Sequence, residues 1–162
     1  MKIDIARQPL VPAFMTLFAL AVAAMCAGIP VSDTSGAVRD ALPLLGGQLA
    51  RFQAAYPVWS KFAAGFMLLF TGMCAGRITI RYNLYTVGTC LPIPLYAIVA
   101  CGIATGGNYL AGFAASMLLA LATKNYCRAF CNGYGFDAIF RASLYLGLMP
   151  LVYAPGLPML LL

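Results

Sequence analysis

The chain has 162 residues, of which 63% are hydrophobic and 9% charged, and a net charge of +6. Soluble domains carry about a quarter charged residues, so this composition excludes an ordinary water-facing surface. Such a positive charge would suggest nucleic acid in a soluble protein, but here Lys and Arg flank apolar runs, where they serve orientation and anionic headgroups. No nucleic-acid partner is expected.

The apolar runs are about 15 to 25 residues long, the length that spans a ~30 Å hydrocarbon layer. Backbone in lipid must satisfy its own hydrogen bonds, so each run reads as a helix. Barrel strands would alternate apolar with polar residues, and 66–70 and 116–121 do not. The expected fold is therefore an all-α integral membrane protein with about five transmembrane helices. One or two short amphipathic interfacial helices accompany them, and the last span is broken by proline. A single domain, 1–162, holds spans near 10–29, 57–76, 84–104, 109–123 and 138–162.

Lys2 and Arg7 precede the first run. A basic start and a run ending in small residues also resemble a secretory signal. The length of the run, and Met25 before Cys26, favour an uncleaved span. Residues 30–56 form the longest polar segment, opening on the turn and cap residues Ser32, Asp33, Thr34, Ser35 and Gly36. Leu49, Phe52 and Tyr56 then recur at helical spacing, with Gln48, Arg51 and Gln53 elsewhere on the wheel. This is expected to be an amphipathic helix lying on the bilayer and ended by Pro57.

The second span opens with Trp59 and Lys61, residue types that suit the membrane interface. Gly72 and Gly76 form a GxxxG, with Gly65 near the same side, and should allow close helix packing within the bundle. A basic turn carrying Arg77 and Arg81 follows. Pro92 and Pro94 should kink or loosen the third span. Gly102 and Gly106 form a second GxxxG, and the uncharged 105–108 turn forces an antiparallel hairpin.

The fourth span should continue as an amphipathic helix through Lys124, Arg128 and Cys131. Asn132 to Gly135 should stop it, because glycine accepts the left-handed backbone that a helix end needs. Asp137 is then expected to cap the next helix and to pair with Arg141 four residues on. The last run contains Pro150, Pro155 and Pro158 and ends on three leucines, so either the terminus is expected at the far interface or the chain is expected to be the N-terminal part of a longer protein.

With five spans, Lys2, Arg7, Arg77, Arg81, Lys124, Arg128 and Arg141 share one side, against Arg39, Arg51 and Lys61 on the other. Basic loops stay inside. The expected location is a bacterial inner membrane, with the N-terminus cytoplasmic and the C-terminus extracytoplasmic.

There is no histidine and no glutamate, which removes imidazole chemistry and narrows metal binding. Neither metal nor cofactor is expected. Four of six cysteines lie in apolar runs and read as small buried hydrophobes. Cys127 and Cys131, at i,i+4 spacing, lack further ligands nearby. No charged residue falls mid-span, which speaks against an ion-coupled carrier.

Three roles remain. The first is a non-catalytic subunit or scaffold of a membrane complex, packed against other membrane subunits or its own copies. The second is a lipid-phosphate-handling enzyme or carrier, in which Arg77, Arg81, Lys124, Arg128 and Arg141 meet a phosphate headgroup beside Asp137. The third is a small transporter with a site at the proline-broken helices.

Overall fold

The computed structural model describes residues 13–19, 44–82, 92–104, 108–131, 133 and 135–154, and these are helices and their joints, with no strand among them. The helices are α1 (13–19), α2 (Leu44–Ala55), α3 (Pro57–Arg81), α4 (Pro92–Ala104), α5 (Tyr109–Cys131) and α6 (Phe136–Val152). Among the described residues one helix, α3, is long and apolar enough to cross a membrane. At 23 residues α5 is nearly as long, but its last turns turn polar from Lys124 onward.

Tyr56 forms the joint between α2 and α3. Its φ of −131° and ψ of 72° lie outside the helical region, which a following proline disfavours. Pro57 occupies the first turn of α3, where its missing N–H costs nothing. The amide of Tyr56 still donates to Phe52 O at 2.9 Å, and that of Ser60 to Tyr56 O at 2.9 Å. These two bonds carry the helical hydrogen bonding across the joint on either side of the proline.

From this joint α3 runs the length of the bundle, and α4 returns against it. Gly76 of α3 lies against Ile93 and Gly72 against Tyr96, an antiparallel register. The start of α5 comes back beside the start of α3, since Ser60 Oγ and Tyr109 OH are 2.6 Å apart. α5 then runs parallel to α3, and α6 returns along it to bring Val152 into a cluster with Ala111 and Ala114. The α5–α6 contact is the most extensive, followed by α3–α5 and α3–α4. α5 is the central helix: from Asn108 to Ala122 none of its residues is exposed.

The core joins Ala13 and Leu17 of α1, Ala64 and Leu68 of α3, Ile93, Ala97 and Ala100 of α4, and Tyr109, Leu110 and Phe113 of α5. It is rich in alanine, so the helices approach closely. A Cβ on Gly72 would sit 2.6 Å from Leu17 Cδ2, and one on Gly76 2.6 Å from Ile93 Cδ1 and Cγ1. Both glycines of this GxxxG are thus filled by other helices of the same chain. Gly106 lies outside the described residues, and no packing is described at Gly102.

Several elements differ from the sequence reading. α3 continues to Arg81, so Arg77 and Arg81 stand on its last turns instead of in a loop. α4 begins at Pro92, which puts both prolines in its first turn. That position tolerates proline because its N–H would be unpaired anyway, so the described helix is not kinked mid-span. Residues 83–91 lie outside the described set. Pro150 falls near the end of α6, which stops at Val152, while Pro155 and Pro158 are outside. The cap of α6 is Gly135, with no side-chain cap bond. Asp137 stands two residues past the cap, in the first turn, where its charge favours the helix dipole instead. Gly133 has a φ of +75°, the left-handed residue expected between α5 and α6.

The tight site at Gly76 contrasts with Gly147 of α6, where an added Cβ would meet nothing within 4 Å. Gly76→Leu should lower stability by about 1–3 kcal/mol through overpacking. Gly147→Ala should be neutral or should raise it by up to about 1 kcal/mol, the helix cost of glycine. Thermal unfolding of the purified variants checks both.

Candidate functional site

The six polar residues singled out in the sequence do come to one end of the bundle. A rise of 1.5 Å per residue puts Arg77 and Arg81 about 25 and 32 Å along α3 from Ser60, and Lys124 and Arg128 about 23 and 28 Å along α5 from Tyr109. Because Ser60 and Tyr109 touch, these four cations share a level. α6 enters from that level, bringing Asp137 and Arg141. All six side chains are exposed.

Arg141 Nε donates to Asp137 Oδ1 at 3.0 Å, an i,i+4 pair with both side chains more than half exposed. Arg77, Arg81, Lys124 and Arg128 have no acidic partner among the described residues. The six share an end, but nothing in the described geometry closes them into a pocket. Among the described residues no three His, Cys, Asp or Glu side chains gather as metal ligands.

The Cys127 and Cys131 pair stands on the same end of α5, Cys127 half-buried and Cys131 exposed. Burial pushes the Cys127 thiol above its usual range, and Cys131 adds to the shift, because a second thiolate alongside is repelled.

Sequence reasoning missed the polar contacts inside the bundle. At the end opposite the cations, Ser60 Oγ is fully buried, donates to Pro57 O at 2.8 Å and lies 2.6 Å from Tyr109 OH, which can then donate to it. Beside it, the Leu110 amide donates to Gln53 Oε1 at 3.4 Å. Gln53 had been expected on the wet side of α2. It is buried instead, while Phe52 and Tyr56 are exposed. The amide turns inward because the first amides of α5 have no partner within their own helix. Further along, Tyr96 OH and Ser116 Oγ lie 3.2 Å apart. Thr71 Oγ1 is buried beside that phenol without reaching hydrogen-bond geometry. A signal was present in the sequence: at about 100° per residue Ser60 and Thr71 fall within about 20° of one another around α3, on a stripe with the buried Ala64 and Ile78.

The groove at the α2–α3 joint is lined by Phe52, Tyr56, Trp59, Phe62, Ala63 and Phe66 and has a volume of about 520 Å³. It is open and carries no ionisable group other than the Tyr56 phenol, so it offers apolar contact and no catalysis.

Comparison with protein-family models, curated proteins and solved structures finds no match.

Two measurements follow from this geometry. Ser60→Ala leaves the buried Tyr109 hydroxyl without its partner and should cost about 1–3 kcal/mol. The double variant Ser60→Ala/Tyr109→Phe should recover part of that loss, whereas Asp137→Ala should cost about 0.5 kcal/mol or less, as exposed pairs do. Maleimide labelling followed by peptide mapping should modify Cys131 before Cys127 near neutral pH. A raised thiol pKa leaves less thiolate, so labelling of Cys127 should catch up only as pH rises above the usual thiol range. Equal rates at neutral pH would contradict the burial of Cys127.

Proposed function

We propose that this chain is a multi-pass integral membrane protein acting as a non-catalytic subunit or scaffold of a membrane complex. The observation that carries the reading is where the large apolar side chains point. Phe14, Met15 and Phe18 of α1, Leu95, Ile98 and Val99 of α4, and Phe140 and Leu144 of α6 are all exposed, as are six large side chains along α3. An apolar surface spread over so many helices is far larger than the isolated patches of soluble monomers. Hydrocarbon is the solvent in which it is stable.

The hydroxyl groups support the same reading. Thr16, Ser60, Thr79, Ser116, Thr123 and Ser143 each bond to the carbonyl three or four residues back. Hydroxyls that cannot reach water satisfy themselves in this way. In this proposal the crossings lie near 10–29, 57–76, 84–104, 109–123 and 138–162. The end bearing Arg77, Arg81, Lys124 and Arg128 is cytoplasmic, in an inner-membrane orientation with the N-terminus inside.

The lipid-phosphate reading has less to support it. It needs cations converging beside a free carboxylate, and Asp137 is engaged by Arg141. The transporter reading drew on broken helices, and Pro92, Pro94 and Pro150 fall in terminal turns.

In a cysteine-free background, Ser35→Cys should be labelled by an impermeant maleimide from outside, and Asn132→Cys only after permeabilisation. Labelling of Asn132→Cys in intact cells reverses the orientation. The triple variant Arg128→Ala/Asp137→Ala/Arg141→Ala should insert and keep its partners in a pull-down. Loss of cellular activity in a triple variant that still inserts and assembles would transfer support to the lipid-phosphate role.

A further inference from the structure

We propose that the outer face of α3 is a binding track for one anionic phospholipid, its headgroup on Arg77 and Arg81 and an acyl chain along Phe70 and Phe66. The inference rests on the membrane reading and goes beyond it, because it singles out one helix face and one lipid class.

Three observations converge on this face. At about 100° per residue, Phe66, Phe70, Arg77 and Arg81 fall within about 60° of one another around α3. All four are exposed, while Leu68, Thr71, Gly72, Gly76 and Ile78 occupy the buried side. The Phe66 and Phe70 rings stack at 6.3 Å with 21° between planes, forming a continuous apolar surface that leads to the two guanidinium groups.

The distances fit one leaflet. Phe66 lies about 16 Å along the axis from Arg77 at 1.5 Å per residue, close to half of a ~30 Å hydrocarbon core. Trp59, 69% exposed, is about 27 Å from Arg77 on the same face, which puts it at the opposite interface. The track therefore begins at a cationic interface and runs to the bilayer midplane.

Charge complementarity names the occupant. Neither arginine has an acidic partner among the described residues, and guanidinium forks fit phosphate oxygens. The cations of α5 supply the contrast. Lys124 and Arg128 carry the same charge at the same level, but α5 has no exposed residue between Asn108 and Ala122. They offer a headgroup contact with no chain track beneath it.

The chain has a single tryptophan, so a reporter can be moved. Trp59→Phe/Phe70→Trp places it on the track, and Trp59→Phe/Leu144→Trp on the exposed face of α6. Each is reconstituted in phosphatidylcholine vesicles containing either brominated phosphatidylglycerol or brominated phosphatidylcholine. The anionic lipid should quench the reporter at position 70 with an apparent affinity at least about fivefold above the zwitterionic one. Adding Arg77→Gln/Arg81→Gln should bring that ratio to about one, and adding Lys124→Gln/Arg128→Gln should leave it near its original value. Equal quenching by the two lipids, or an equal loss from the α5 pair, overturns the proposal while leaving the membrane reading intact. Quenching at position 144 but not at 70 means that protein, such as a second copy, covers the track. No quenching at either position removes the membrane reading itself.

Discussion

The close approach of α1 and α4 to the backbone of α3 is the contact on which the rest of the bundle depends. Leu17 and Ile93 reach into the spaces that Gly72 and Gly76 leave open, and Tyr96 packs beside them. Side chains resting on backbone make many short dispersion contacts. In lipid these contacts matter more, because burying one apolar surface against another gains nothing from expelled water. Tyr96, held in this way, presents its hydroxyl to Ser116 of α5, and Ser60 ties the other end of α3 to Tyr109. α5 is thus fixed at two heights, and α6 packs along it.

Polar and apolar groups are distributed against the habit of soluble proteins. Among the described residues the buried polar side chains, Gln53, Ser60 and Thr71, lie between helices, while Trp59 and every phenylalanine except Phe113 are exposed. α2 shows the inversion within a single turn, since Gln53 is buried and its neighbour Phe52 exposed. Each inward polar group either bonds across to another helix or lies beside one that does. A few such bonds, worth about 1 kcal/mol each, set the register of alanine-rich surfaces that would otherwise slide.

The helical class and the element order were legible because apolar runs punctuated by glycine, proline and charge leave little choice. The amphipathic exit of α5 through Cys131, the left-handed glycine after it, and the Asp137–Arg141 pair followed from local rules and appear as helix, φ and ion pair. Local rules failed where tertiary contact decides. The wheel of α2 assigned Gln53 to water because amphipathicity says which residues are alike, not which face meets the core. The prolines of α4 were read as kinks because their position relative to the helix start was unknown. The six residues of the basic end were legible as a set. Whether they close into a pocket was not, because convergence depends on where each side chain points.

In the membrane reading proposed above, the basic end serves as an orienting device, and magnitudes favour that role over a reaction centre. With Arg141 held by Asp137, four cations at that end lack an acidic partner among the described residues. Near an anionic surface each contributes roughly 1 kcal/mol, enough together to fix which end of the bundle stays on that side. Catalysis at a phosphate asks more of the same charges: fixed donors, little water, and a carboxylate free to hold a metal or take a proton. Exposed arginines and lysines on terminal helical turns keep their mobility and their water. What distinguishes one pair among them is the surface beneath it. Arg77 and Arg81 alone continue an exposed aromatic stripe on their own helix, so at that place a general attraction to anionic lipid becomes a position along the chain.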